Sequence, residues 1–190
     1  MLASMTADER SIFAILQQEQ DCAIQSLLLD LLKKRMAPAP TIDSAHTVVL
    51  LDLLQGVALI HYGSKLRSGD KTTLAMLLTF LASKESSVVV AALEALESIL
   101  VDSSASTRAF EQVGGLALVC QILKQRRSPE TVLHKCIELL CVYLQPEDEN
   151  PDARLAEPAE KAEEALGRKQ HSVEQLLGRS FVQRLMGATA

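Results

Sequence analysis

An all-α fold of stacked helices is what this 190-residue sequence predicts, arranged as a solenoid with a further helix at the C-terminal end. Three observations predict it. Hydrophobic residues make up 48% of the chain but aromatics only 3%, so the core is Leu, Ala and Val, a mixture that favours helices over sheets. Apolar residues recur at helical spacing in one segment after another, with caps and Gly or Pro corners between them. The stretch from Arg108 to Glu147 then writes out a complete unit: short helix, Gly-Gly corner, helix, Ser-Pro corner, helix. Phe110 and Val113 precede Gly114 and Gly115, which permit the backbone angles of a sharp corner. Leu116, Val119, Cys120, Ile122 and Leu123 form the next apolar face. Ser128 is placed to cap the following helix, with Pro129 at its first position, and Val132, Leu133, Cys136, Ile137, Leu140, Tyr143 and Leu144 line its buried side. Short helices that share a core only with their neighbours define an armadillo- or HEAT-like right-handed solenoid.

The elements follow in order. Thr6 and Glu9 have the capping-box spacing and open a helix carrying Ile12, Phe13 and Leu16. Ile24, Leu27, Leu28, Leu31 and Leu32 continue the period, and Lys33-Lys34-Arg35 suits a helix C-terminus, where cations oppose the dipole. Met36–Pro40 holds two prolines and reads as a connector. Asp43 or Ser44 caps a long helix that is apolar nearly all round from Val48 to Ile60; such a helix must be covered on every side, which makes it the expected centre of the solenoid. Gly63–Asp70 reads as a polar loop, Leu74–Leu81 as a third helix and Ser86–Val101 as a fourth, with Glu94, Glu97 and Ser98 as its polar stripe.

The predicted organisation is a helical domain over residues 1–145, an acidic, proline-bearing linker over 146–171 and an amphipathic helix over 172–186. Ser172 serves as the cap of that helix, and Val173, Leu176, Leu177, Phe181 and Leu185 form a face that must dock, on the solenoid or on a partner.

The sequence carries no recognisable catalytic, cofactor or metal-binding pattern. The chain carries a net charge of −5, which argues against a nucleic-acid or anionic-membrane binder. The longest apolar run is too short to cross a bilayer, and no secretory signal opens the sequence, so a cytosolic or nuclear setting is expected. Gly63–Thr72 superficially has the look of a phosphate-binding loop, but its spacing is wrong and Asp70 would repel phosphate. Cys136 follows His134-Lys135, yet no arginine stands after it to hold a phosphate, so it reads as a core residue, as do Cys22, Cys120 and Cys141. The four histidines are scattered without metal-ligand spacing. Nothing points to a small-molecule substrate. What remains is surface. Arg108, Lys124, Arg126, Arg127 and Lys135 give one stretch a positive bias, a ridge suited to an acidic partner segment. Arg108, Arg126, Arg127 and Lys135, with the C-terminal Leu176, Leu177, Phe181 and Leu185, are the candidate partner-binding residues. Ser128-Pro129 has the form of a proline-directed phosphorylation site, although capping already explains it.

Two blocks carry a family likeness. R-A-F-E-Q-V-G-G-L (Arg108–Leu116), followed by Lys135, Glu138 and Y-L-Q-P-E (Tyr143–Glu147), and the earlier L-L-D-L-L-Q-G-V-A-L-I-H (Leu50–His61), resemble the fungal cell division control protein 14 family, a component of the septation initiation network unrelated to the phosphatase of similar name. Leu166-Gly-Arg168 and Val173–Leu177 are similar to its C-terminal region. The resemblance implies an armadillo-like, non-catalytic partner of a sterile-twenty-like protein kinase, acting at the spindle pole body in septum formation and cytokinesis. It carries over Phe110, Glu111, Gly114 and Gly115 as structural positions and no kinase contact. The alternative reading is a general armadillo-type interaction scaffold, a peptide or tether adaptor outside that pathway.

Overall fold

The computed structural model describes residues 6–17, 23–35, 44–125, 128–145 and 162–188. Among them the chain is wholly helical: α1 (Ala7–Leu16), α2 (Ile24–Arg35), α3 (Ser44–Ile60), α4 (Tyr62–Ser68), α5 (Lys71–Phe80), α6 (Ser86–Leu100), α7 (Ser104–Gln112), α8 (Gly115–Lys124), α9 (Glu130–Tyr143), α10 (Ala162–Leu177) and α11 (Arg179–Ala188). The expected all-α class is therefore the observed one.

The centre is α6 and not the long helix α3. Helix α6 packs on α3 along one flank and on α9 along the other, with α5 and α7 also against it. Its Val88, Val89, Ala92, Leu93, Leu96 and Ile99 are buried, and so is Ser98 of the expected polar stripe, while Ser86, Val90, Glu94 and Glu97 are half-exposed and Ser87 is exposed. Alanines at 91, 92 and 95 keep that helix slim enough for neighbours on several sides. Helix α3 buries Thr47, Leu51, Leu54, Val57 and Ala58 against α6 and α2, but leaves Val49, Leu53 and Leu59 exposed. Its all-round hydrophobicity is real, and the described chain covers only part of it.

Several local readings are refined. Thr6 and Glu9 form the expected reciprocal capping box. Residues 63–70 are not a loop: α4 forms there because His61 caps it, its Nδ1 accepting from the Ser64 amide at 3.1 Å, and because Lys65 buries its stem and donates to the Val101 carbonyl at 3.0 Å. Asp70, the residue that spoiled the phosphate-loop pattern, caps α5 by accepting from the amides of Thr72 and Thr73. Ser128 does not cap α9: Pro129 holds that position, and the serine hydroxyl donates back to the Ile122 carbonyl at 3.2 Å, closing the corner. Asp43 and the whole connector at 36–40 lie outside the described residues.

The C-terminal region differs from the single helix expected over Ser172–Met186. Helix α10 begins at Ala162, inside the stretch read as linker, and Ser172 sits within it, its hydroxyl donating to the Arg168 carbonyl. Gly178, with a left-handed φ of 90°, breaks it from α11. Residues 146–161 lie outside the described structure. Helix α10 packs on α8 and α11 on α10, burying Ala165, Val173, Val182 and Leu185.

Candidate functional surfaces and the motif that anchors them

The Gly-Gly corner is a packing device. Gly114 takes a left-handed φ of 78° as the residue before α8, which L side chains rarely adopt. Gly115 lies under the ring of Phe110, itself fully buried, so that a Cβ at 115 would overlap the ring edge. The pair thus closes α7 onto α8 with no room to spare.

One residue further along α7, Glu111 gathers the other motif blocks. Its Oε1 accepts from the Tyr143 hydroxyl at 2.6 Å. Arg168 Nη1 donates to both of its carboxylate oxygens, at 2.9 and 2.8 Å. Tyr143 ends α9 and Arg168 stands on α10, so one carboxylate ties together three helices distant in sequence. Burial, then the neighbouring Glu111, pushes the Tyr143 phenol above its usual range. Lys169, 2% exposed, lies 5.5 Å from the Tyr143 ring centroid and donates to the Gln145 carbonyl. Glu111, Tyr143 and Arg168 stand in separate motif blocks of the sequence, and nothing in their spacing says that they meet.

The proposed basic ridge takes a different form. Lys135 on α9 is clasped by Glu138 at 2.7 Å and by Glu94 of α6 at 2.9 Å, and these two hold its ammonium well above the ordinary lysine range. Around it stand further acids. Burial, with Glu138 and Glu94 outweighing part of the Lys135 attraction, raises Glu97; burial and Glu94 raise Asp52 of α3. The face shared by α3, α6 and α9 is thus acidic with one lysine at its centre. The sequence missed this because Glu94 and Asp52 belong to other helices. Arg108 is half-buried on α7, while Arg126 and Arg127 lie outside the described residues. Leu176, Leu177 and Phe181 are half-buried against the core and Leu185 is buried, so the C-terminal apolar face docks on this chain's own helices.

Removing the central cation exposes that balance. Lys135→Met is expected to destabilise the fold by about 1 kcal/mol at pH 7. Because Asp52 and Glu97 are raised, the folded chain takes up their protons first as pH falls, so the deficit should shrink toward pH 5. Chemical denaturation of both proteins at the two pH values checks this.

Burial pushes the Cys120 thiol up to about 11 and the Cys136 thiol up to about 12. An unfolded chain releases such protons near pH 8.5. The unfolded state then binds fewer protons than the folded one, so stability is expected to fall as pH rises from about 8.5. A thiol reagent should modify Cys120 and Cys136 only on unfolding, and the drop in melting temperature between pH 8 and 10 should diminish in Cys136→Ala. Among the described residues no group of three or more His, Cys, Asp or Glu side chains is placed to hold a metal, and no helix is long and apolar enough to cross a membrane.

Fold and surface define an all-helical protein that presents shaped faces and a clamped C-terminal pair of helices. Comparison with known proteins is specific. The family model described as "Cell division control protein 14, SIN component" matches residues 4–187, and the chain belongs to that family. Cell division control protein 14 of Schizosaccharomyces pombe is 32% identical over 99 residues, 52% of this chain and 41% of the relative. The aligned part of the chain thus spans about two-fifths of that relative's length. The family places the chain in the machinery of cell division and septation, and it is not a phosphatase family.

Proposed function

We propose that this chain is a non-catalytic adaptor that binds a sterile-twenty-like protein kinase in the septation initiation network and positions it at the spindle pole body, with α3, α6 and α9 as successive inner helices of an armadillo-like right-handed solenoid. The carrying observation is the family match over residues 4–187, which takes in the helical body and both C-terminal helices together. The row formed by α2, α3, α6 and α9 supports the solenoid reading, since each helix packs chiefly on its neighbour in the row. Buried thiols with raised pKa values and a surface whose charges pair with one another fit a protein that offers contact area and no nucleophile. An adaptor of this kind acts by raising the kinase's effective concentration at one place.

The test is co-purification of the full chain with that kinase from its own cells, with imaging of both at the spindle pole. Loss of the kinase from the pole on deletion of this chain is the expected result; a kinase that neither co-purifies nor moves rules the reading out. A second reading, a peptide scaffold outside the pathway, draws on the acidic α3–α6–α9 face, which is suited to a basic segment. Recovery of a partner with no role in septation would favour it.

A further inference from the structure

Among the described residues, every exposed large hydrophobic side chain lies between Ile12 and Leu66. They fall on four helices: Ile12, Ile15 and Leu16 on α1; Ile24, Leu27 and Leu31 on α2; Val49, Leu53 and Leu59 on α3; Tyr62 and Leu66 on α4. The two ends of the molecule are therefore unlike. At the far end α10 covers α8, α11 packs on α10, and both turn polar residues outward. At the near end the row stops at α2, whose outer side is apolar. A stack of helices needs a polar terminal layer to stay soluble, and contiguous exposed apolar area on this scale marks an interaction site.

The shape and charge of this end say what covers it. On α2, Ile24, Leu27, Leu31 and Lys34 follow one another at intervals of three, four and three, one stripe along the outer side. That is the spacing of a helix–helix seam. The helices around it are fixed: Arg67 Nε donates to Gln25 Oε1 at 3.0 Å, joining α4 to α2, and Phe13 of α1 meets the His61 ring edge-on at 6.3 Å. The stripe ends in Lys34, next to Arg35, and neither has an ion-pair partner among the described residues. On α2 itself Asp30 is engaged with Lys33 at 3.5 Å, and on α1 Glu9 is held in its capping box.

We infer that the α2 stripe and its apolar surround receive an amphipathic helix of the kinase partner, with apolar residues at helical spacing and carboxylates at the end that meets Lys34 and Arg35. This rests on the adaptor reading and names its surface. The seam adds one layer to the row, and the charged end sets the direction in which the incoming helix lies.

The experiment uses the full chain and the full-length kinase, measured by titration at low and high salt. Leu27 and Leu31 are 58% and 44% exposed, so Leu27→Asp with Leu31→Asp should leave the melting temperature unchanged and weaken kinase binding about 30-fold or more. Lys34→Glu should slow association and flatten its salt dependence. Equal binding by wild type and the double variant overturns the surface while leaving the adaptor reading intact. Absence of binding by the wild type overturns the adaptor reading and this occupant with it. Sedimentation of the wild type alone as a dimer that Leu27→Asp dissociates overturns the inference in favour of a second copy.

Discussion

Phe110→Ala is expected to destabilise the protein by about 3–5 kcal/mol, the usual range for a large aromatic removed from a closed core. Phe110 is fully buried and lies over Gly115, at the one place where α7 and α8 meet. The converse change should also be costly. Gly115→Ala puts a methyl where the ring edge now stands, and overpacking of this kind costs about 1–3 kcal/mol. If the clash is the cause, Gly115→Ala should cost less in a Phe110→Leu background than in the wild type. A double-mutant cycle by urea denaturation measures that coupling, and a coupling near zero would mean the two residues act separately.

Glu111→Ala is the second large effect. The substitution leaves the Tyr143 hydroxyl, on a residue 1% exposed, with no acceptor, and removes both bonds to Arg168. A buried donor left unpaired costs about 1–3 kcal/mol. The expected signature is spatial as well as energetic: amides of α10 and α11 should lose hydrogen-exchange protection while those of α6 keep theirs. Glu111→Gln keeps an acceptor for the tyrosine and gives up the charge, so it should fall between wild type and alanine. Uniform loss of protection across all helices would show that Glu111 supports the whole core and not the C-terminal clamp.

Much of the helical content was legible from period and caps. Thr6 with Glu9, the Gly-Gly corner and the run from Ser86 to Leu100 are local signals, and local signals survive folding. What sequence could not supply is which helix ends up innermost. Helix α3 is the more hydrophobic to the eye, yet α6 takes the centre because its alanines admit neighbours closely while its two charged residues, Glu94 and Glu97, lie on one strip. Lys135 is the sharper lesson. Counted along the chain, it belongs with Arg126 and Arg127; in space its partners are Glu94 of α6 and Glu138 one turn away. A charge's meaning is set by neighbours that only packing assigns. The same holds for α4, read as a loop because its residues are polar, whereas a histidine cap and a buried lysine stem give it an ordered place.

The clasp of Glu111 on Tyr143 and Arg168 bears on how the protein can be cut. A chain ended after Gln145 would lose one side of that clasp: Glu111 would have no arginine, and the side of α8 that α10 now shelters would meet water. Shortened versions ending there should therefore aggregate or demand detergent. A nick made between Gln145 and Ala162 in the intact protein should leave both pieces eluting together, because the carboxylate and the packing hold them without a peptide bond.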